Sequence, residues 1–328
     1  MKILLIRLSS LGDIVLTQSV AAALRKKYPN AEIHFITKKA FVPIVEAFGC
    51  IDQIHVWGEY KSFSKLRKLA KNRFDLVIDL HNKFNTFLIK KIVNGKNTAT
   101  YNKHHHLRWK IVQHQTNQSI SSTVELYFSA LKKAGIEAEI SNPELYPKNE
   151  LNEKLADLFE TNKHNVAIFP GALHKTKQYP TEQLAEMINS LDEKFNIFLL
   201  GSAAEKNLIS DLRKLLNRPI INFVGKLNIA ELISFMQKAD AVISNDSGPM
   251  HIAAALQKPQ IAIFGATNPR LGFAPLNKKA IVLIADLACQ PCSLHGGKNC
   301  PLTHFNCMQS ISPQKIKTEL LRILSEKK

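Results

Sequence analysis

Short apolar runs alternate along this chain with segments whose apolar residues return every three to four positions. That alternation predicts strand 2–8, helix 13–27, strand 31–37, helix 40–48, strand 52–57, helix 62–72, strand 74–80, helix 83–93 and strand 97–101, with helical segments near 105–115 and 121–134. The polar stretch 136–150, with Asn142-Pro143 and Tyr146-Pro147, breaks the rhythm and reads as a linker. The pattern then restarts with helix 150–161, strand 165–169, helix 180–194, strand 195–200, helix 204–216, strand 219–223, helix 228–239, strand 240–244, helix 248–256 and strands 259–264 and 280–284. A last amphipathic helix covers 313–326. Short β-branched strands alternating with helices call for parallel sheets covered on both faces, so the fold class is α/β with two Rossmann-like domains.

Two strand-to-helix turns carry the most information. Ser9-Ser10-Leu11-Gly12-Asp13 follows the run Ile3-Leu4-Leu5-Ile6, and Asn245-Asp246-Ser247-Gly248-Pro249-Met250-His251 follows Ala241-Val242-Ile243-Ser244. Turns of this kind lie at the carboxyl edge of an open sheet, where unpaired first-turn amides and the helix dipole favour anions. Asp13 is explained equally by helix capping and by chemistry. In the second turn Pro249 suits a first helical turn, and the amides around Ser247, Gly248 and Met250 are available to a phosphate. Two further pieces follow strands: Pro170-Gly171-Ala172 with the basic loop 174–180, and Gly201-Ser202-Ala203-Ala204-Glu205. Lys175 and Lys177 entering a helix start oppose its dipole unless an anion is held there. Glu205 suits either ribose hydroxyls or a helix dipole.

At 328 residues the chain exceeds what one core usually accommodates. No run approaches a membrane span. Arg7 interrupts the opening apolar run, which reads as a first strand and not a signal peptide, so the cytoplasm is the expected compartment. The net charge of +17 is concentrated: residues 60–110 hold 13 Lys/Arg against 2 Asp/Glu. Such a face fits nucleic acid, an anionic membrane or a phosphorylated substrate, and also a merely solvated surface. The first turn has one glycine where a dinucleotide fingerprint needs three, and no G-x-x-x-x-G-K-[ST] occurs, which argues against NAD enzymes and P-loop NTPases. The basic region lacks interleaved aromatics and a recognition motif, which argues against nucleic acid as the partner. Four of the five cysteines form Cys289-x2-Cys292-x7-Cys300-x6-Cys307 within an irregular segment, 286–310, a spacing compatible with a structural zinc site or with reduced thiols in a capping loop.

Together, ILLIRLSSLGD, FPGALHKTKQYP, LLGSAAE and ISNDSGPMHIAAALQKPQIAIFGATNP resemble, in order and spacing, the glycosyltransferase family 9 enzymes, the ADP-heptose:lipopolysaccharide heptosyltransferases. The resemblance spans nearly the whole chain. It implies the GT-B architecture, two Rossmann-like domains facing across a cleft. An acceptor domain at 1–148 and a nucleotide-sugar domain at 149–312 follow, with 313–328 suited to a helix that crosses back to the first domain. It implies Asp13 as the general base and Lys177 as the lysine on the donor phosphates. It implies Ser10, Gly12, Glu205, Asp246, Ser247, Gly248 and His251 around the base and the donor, and the turns read above add Gly171, Ala172 and Met250 to the expected donor set. Ala172 and Leu173 stand where some relatives carry two threonines, so hydroxyl contacts to phosphate are missing there.

The activity this resemblance implies is inverting transfer of heptose from ADP-heptose to the lipopolysaccharide inner core, without a required metal, since no Asp-x-Asp motif stands in a suitable loop. His81, Asn82 and Lys83 at another strand end, with Arg108, are expected on the acceptor side, and His104-His105-His106 reads as an exposed polar loop. Lys61, Lys65, Arg67, Lys68 and Lys71 are expected to make peripheral contact with the anionic inner membrane. Three other readings compete: a GT-B transferase with a different nucleotide-sugar or acceptor, a basic nucleic-acid-binding protein, and a non-catalytic sugar-nucleotide binder.

Overall fold

A computed structural model describes residues 1–60 and 63–326. Lys61 therefore lies outside the described residues. The chain divides into two compact units, residues 1–104 with 122–148, and residues 105–121 with 149–328.

The first unit is built on β1 (Lys2–Ile6), β2 (Glu32–Thr37), β3 (Gln53–Val56), β4 (Leu76–Asp79) and β5 (Asn97–Thr100), all parallel, in the order β3-β2-β1-β4-β5. Ile3 to Ile6 are fully buried, as a central strand covered on both faces requires. The helix α1 (Leu11–Leu16) packs against α2 (Gln18–Lys27) and α3 (Val42–Glu46), and α4 (Phe63–Ala70) packs against α5 (Phe84–Val93). The predicted helix 13–27 starts earlier and is divided at Thr17, whose hydroxyl donates to Ile14 O at 2.6 Å and competes with the helix ladder. Leu66 and Leu69 of α4 and Ile89 and Val93 of α5 pack with Leu4, Ile6, Phe74 and Val77.

The strand order reverses at β1, so the turns after β1 and β4 flank the crevice where open α/β sheets bind ligands. Ile6 pairs in register with Asp79, which brings those two turns out of the sheet side by side.

Between the segments of the first unit, α6 (His105–Val112) joins the second, whereas α7 (Thr123–Lys133) returns to the first. The first unit ends at 148, where the expected first domain ends, but residues 105–121, expected within that domain, group with the second unit. Ile120 N donates to Arg270 O at 2.8 Å, and Arg270 Nη2 donates to Thr116 O at 2.9 Å. Little in the residue pattern warns of this, because α6 buries only Arg108 and Ile111 and shows no apolar stripe.

The second unit contains α8 (Glu153–Ala156), β6 (His164–Phe169), α9 (Thr181–Asn189), β7 (Phe195–Leu199), α10 (Lys206–Leu215), β8 (Ile221–Asn222), α11 (Ile229–Lys238), β9 (Ala241–Asn245), α12 (Gly248–Ala255), β10 (Gln260–Phe264), β11 (Ala280–Ile284), α13 (Asn306–Gln309) and α14 (Pro313–Ser325). Its parallel sheet runs β11-β10-β9-β6-β7-β8 and reverses between β6 and β9. Phe169 is in register with Ser244, so the turns after β6 and β9 flank this sheet's crevice. The expectation that 313–326 leaves this unit is corrected: Ile316, Leu320, Ile323 and Leu324 of α14 fall on one helical face and are buried in the second unit's own core.

Candidate functional site

In the first unit, Ser10 stands at the start of α1 and Asp13 in its first turn. Ser10 donates to Asp13 Oδ2 from its amide at 3.2 Å and from its hydroxyl at 2.5 Å. Gly12 is buried beside them. The same carboxylate oxygen meets Arg7 Nη2 at 2.7 Å, and Tyr127 donates to Oδ1 at 3.3 Å. Arg7 is held from several sides: Nε donates to Ser9 O at 2.7 Å, Nη1 donates to Leu80 O, and the guanidinium lies 5.5 Å from the Tyr127 ring centre. Burial works against its charge, but Tyr127, Asp13 and Tyr101 outweigh burial and raise its pKa. A buried cation so arranged keeps the Asp13 carboxylate oriented. Sequence reading treated Arg7 only as an interruption of an apolar run. A charge ending a fully buried strand was the available signal, since such a charge needs a partner.

The neighbouring turn after β4 is positively charged. Asp79 Oδ1 accepts from the amides of His81 and Asn82, both at 2.9 Å, and Lys90 Nζ lies 3.1 Å from Oδ2. Asn82 takes a left-handed backbone, φ 52°, and its carbonyl accepts from Lys103 Nζ at 2.8 Å. Burial, then Arg7 and Lys83, push the His81 pKa down to about 4, so its imidazole is neutral near pH 7. Burial, Arg7 and Lys83 also lower the Lys103 pKa. His81, Asn82 and Lys83 thus come together with Lys103, which sequence reading passed over.

Arg108 is expected on the same acceptor side. It belongs to the second unit, where it is buried, donates to Leu271 O at 3.3 Å and sits 4.7 Å from the Phe273 ring centre. These contacts tie segment 105–121 to the loop that carries Leu271 and Phe273.

In the second unit, Lys177 ends a short 3-10 turn, Lys175–Lys177, and its Nζ lies 2.7 Å from Asp246 Oδ2. Thr267 Oγ1 donates to the same oxygen at 2.6 Å. This pair joins the turns after β6 and β9 at the sheet's reversal. Asn245 fastens the loop further: Nδ2 donates to Pro170 O at 2.8 Å, and Oδ1 accepts from Tyr179 N at 3.1 Å. Ala172 is buried, and its carbonyl accepts from Gln178 Nε2 at 2.8 Å.

Ser247 precedes α12, and Gly248 and Pro249 open it. The amide of Met250 lies in the first turn, whereas its side chain packs with Ala262 and Phe264 in the core. His251 is buried. Glu205 is wedged against two glycines, since a Cβ at Gly171 or Gly201 would stand 2.1 or 2.2 Å from its carboxylate oxygens. Burial raises the Glu205 pKa against the Ser202 amide, which donates to Oε2 at 2.6 Å.

The cysteine segment braces the lysine loop. Gly297 N donates to Thr176 Oγ1 at 2.8 Å, Thr176 N donates to Gly297 O at 3.1 Å, and Cys292 N donates to Ala266 O at 3.0 Å. Burial and the neighbouring thiols of Cys292, Cys300 and Cys289 raise the Cys307 pKa to about 11. All four cysteines are free thiols. Among the described residues no group of three or more His, Cys, Asp or Glu side chains is arranged to hold a metal ion, which corrects the zinc reading of Cys289, Cys292, Cys300 and Cys307. Proximity brings the thiols into electrostatic contact without forming a ligand set.

Residues 63–302 match the family described as glycosyltransferase family 9 (heptosyltransferase). The chain is 29% identical to lipopolysaccharide heptosyltransferase 1 of Campylobacter coli over 293 residues, 81% of this chain and 84% of the relative. It is 26% identical to lipooligosaccharide heptosyltransferase 2 of Campylobacter jejuni over 320 residues, 95% of this chain and 96% of the relative. Among solved structures, ADP-heptose LPS heptosyltransferase II of E. coli superposes with a TM-score of 0.80 at 22% identity, covering 100% of this chain and 99% of that one. The two Rossmann-like sheets are thus those of the GT-B fold. With the family match covering well over half of its length, the chain belongs to glycosyltransferase family 9.

Proposed function

We propose that this protein transfers a heptose from ADP-heptose, with inversion at the anomeric carbon, to an acceptor hydroxyl of the lipopolysaccharide inner core. Asp13 takes the proton of that hydroxyl, whose oxygen forms the new bond to the anomeric carbon. The bond from that carbon to the diphosphate breaks on the opposite side, and ADP leaves with the electron pair. Lys177 and the amides from Ser247 to Met250 receive the charge developing on ADP. Asp246 and Thr267 hold Lys177 in position, and Glu205 faces the nucleoside ribose. Because Lys177 and the helix amides supply the positive charge, the reading requires no metal, and the four cysteines act as a brace for the lysine loop.

His81, Asn82, Lys83 and Lys103 suit an anionic acceptor. The exposed Lys65, Arg67, Lys68 and Lys71 suit peripheral contact with the anionic inner membrane from the cytoplasmic side. No helix among the described residues is long and apolar enough to cross a membrane.

The observation that carries the proposal is the placement of one charged pair at the reversal of each sheet, Arg7 with Asp13 and Lys177 with Asp246. Calorimetry with ADP-, UDP- and GDP-sugars tests it. ADP-heptose is expected to bind at least about tenfold more tightly than the others, a difference of about 1.4 kcal/mol. Equal or tighter binding of a UDP- or GDP-sugar would replace the donor assignment.

A further inference from the structure

Helix α5 presents an unusual outward face. Thr86, Ile89 and Val93 point into the first unit and are buried, while Phe84, Phe87 and Leu88 are 75%, 49% and 39% exposed. With exposed Lys91 they occupy positions i, i+3, i+4 and i+7, a single stripe along the helix. Three of the eleven exposed large hydrophobic side chains among the described residues fall in this ten-residue helix, so the exposure is concentrated and not scattered.

The charge around the stripe is one-sided. Neighbouring α4 packs on the same face of the sheet and exposes Lys65, Arg67, Lys68 and, just beyond it, Lys71. Lys83 precedes α5 and is also exposed. The two acids of residues 60–110 are already engaged, Asp75 with Lys96 at 2.7 Å and Asp79 with Lys90 at 3.1 Å. Lys91 Nζ lies 5.7 Å from the Phe87 ring centre, an ammonium beside an exposed aromatic. Aromatic and aliphatic side chains ringed by exposed basic residues complement one kind of surface well, the headgroup boundary of an anionic bilayer.

We propose that α5 lies in that boundary, with Phe84, Phe87 and Leu88 immersed at the edge of the acyl region and the surrounding lysines and Arg67 on lipid phosphates. The proposal rests on the electrostatic membrane contact inferred above and adds an apolar anchor that salt does not screen.

Sedimentation with phosphatidylglycerol/phosphatidylethanolamine vesicles, at low and high salt, tests it on the wild type and on two variants, F84S/F87S/L88S and K65E/R67E/K68E/K71E. Thermal unfolding serves as the check that each variant is folded. The wild type should keep a salt-resistant fraction of its binding. The serine variant should lose that fraction and bind about tenfold or more weakly. In an independent readout that leaves the fold untouched, the tryptophan of F87W should shift to the blue on phosphatidylglycerol vesicles and stay unmoved on phosphatidylcholine at high salt. If the serine variant binds like the wild type and F87W does not shift, the anchor is overturned while the electrostatic contact stands. If the glutamate variant also binds like the wild type, both readings fall. Light scattering that shows a wild-type dimer and a monomeric serine variant would make the stripe a contact between copies and overturn the membrane anchor.

Discussion

Both sheets place an ion pair where their strand order reverses, but the pairs are turned opposite ways. In the first unit the cation is the closed partner: the Arg7 side chain is 7% exposed and Asp13 is 22% exposed. In the second the acid is closed, Asp246 at 6% against Lys177 at 15%. The first unit therefore offers a carboxylate from a cationic support, and the second offers an ammonium from an anionic one. On the proposed mechanism, one topology would serve as a base or as an electrophilic clamp according to which partner the surrounding chain covers.

Removing the open carboxylate breaks this comparison most severely. Asp13→Asn should lower kcat by about a hundredfold to ten-thousandfold, measured with saturating donor and acceptor, because an amide takes no proton. A rate within about threefold of wild type would reduce Asp13 to a helix-capping residue. Next comes the open cation: Lys177→Met should lower kcat by about a hundredfold to a thousandfold and also weaken ADP binding. It leaves the buried Asp246 carboxylate with a hydrogen bond from Thr267 but no cation beside it, so a loss of thermal stability is expected as well. Adding Asp246→Asn should restore the stability but not the ADP affinity, which separates the two effects.

A smaller effect is expected at Gly171. A Cβ there collides with the Glu205 carboxylate, so Gly171→Ala should weaken ADP binding about tenfold by displacing that side chain. If Glu205 is the cause, the Gly171→Ala/Glu205→Ala double variant should be more stable than Gly171→Ala alone in urea denaturation.

The smallest effect concerns His81. Its pKa of about 4 in the folded state lies below the ordinary histidine value near 6.5. Between those values the unfolded chain binds the extra proton, so His81 contributes stability that is complete above pH 6.5 and is lost as pH falls toward 4. Urea midpoints measured from pH 7 to 4.5 should fall less steeply in His81→Asn than in the wild type. Identical slopes would show that His81 does not titrate in this way.

The strands were legible because a parallel strand buried on both faces reads as a continuous apolar run, as in Ile3 to Ile6 and Ala241 to Ile243. The sheet edge was less so. Strand 219–223 shrinks to Ile221–Asn222, and helix 150–161 shrinks to Glu153–Ala156, because edge elements are set by neighbours and not by their own pattern. Asp13, Lys177 and Asp246 were legible from their turns, but their supports were not. Thr267 and Asn245 are ordinary polar residues until the fold brings them to Asp246 and to the loop after β6, 21 and about 75 positions away in sequence. Arg7 showed only as an interruption, and α6 carried no stripe to say which sheet it serves.

The proposed mechanism puts acid–base chemistry and donor binding in different units. ADP titration calorimetry on the wild type, Asp13→Asn and Lys177→Met tests it most directly. Asp13→Asn is expected to bind ADP within about twofold of the wild type, and Lys177→Met at least about tenfold more weakly. Equal loss of ADP affinity in both variants, or full affinity in Lys177→Met, would contradict it.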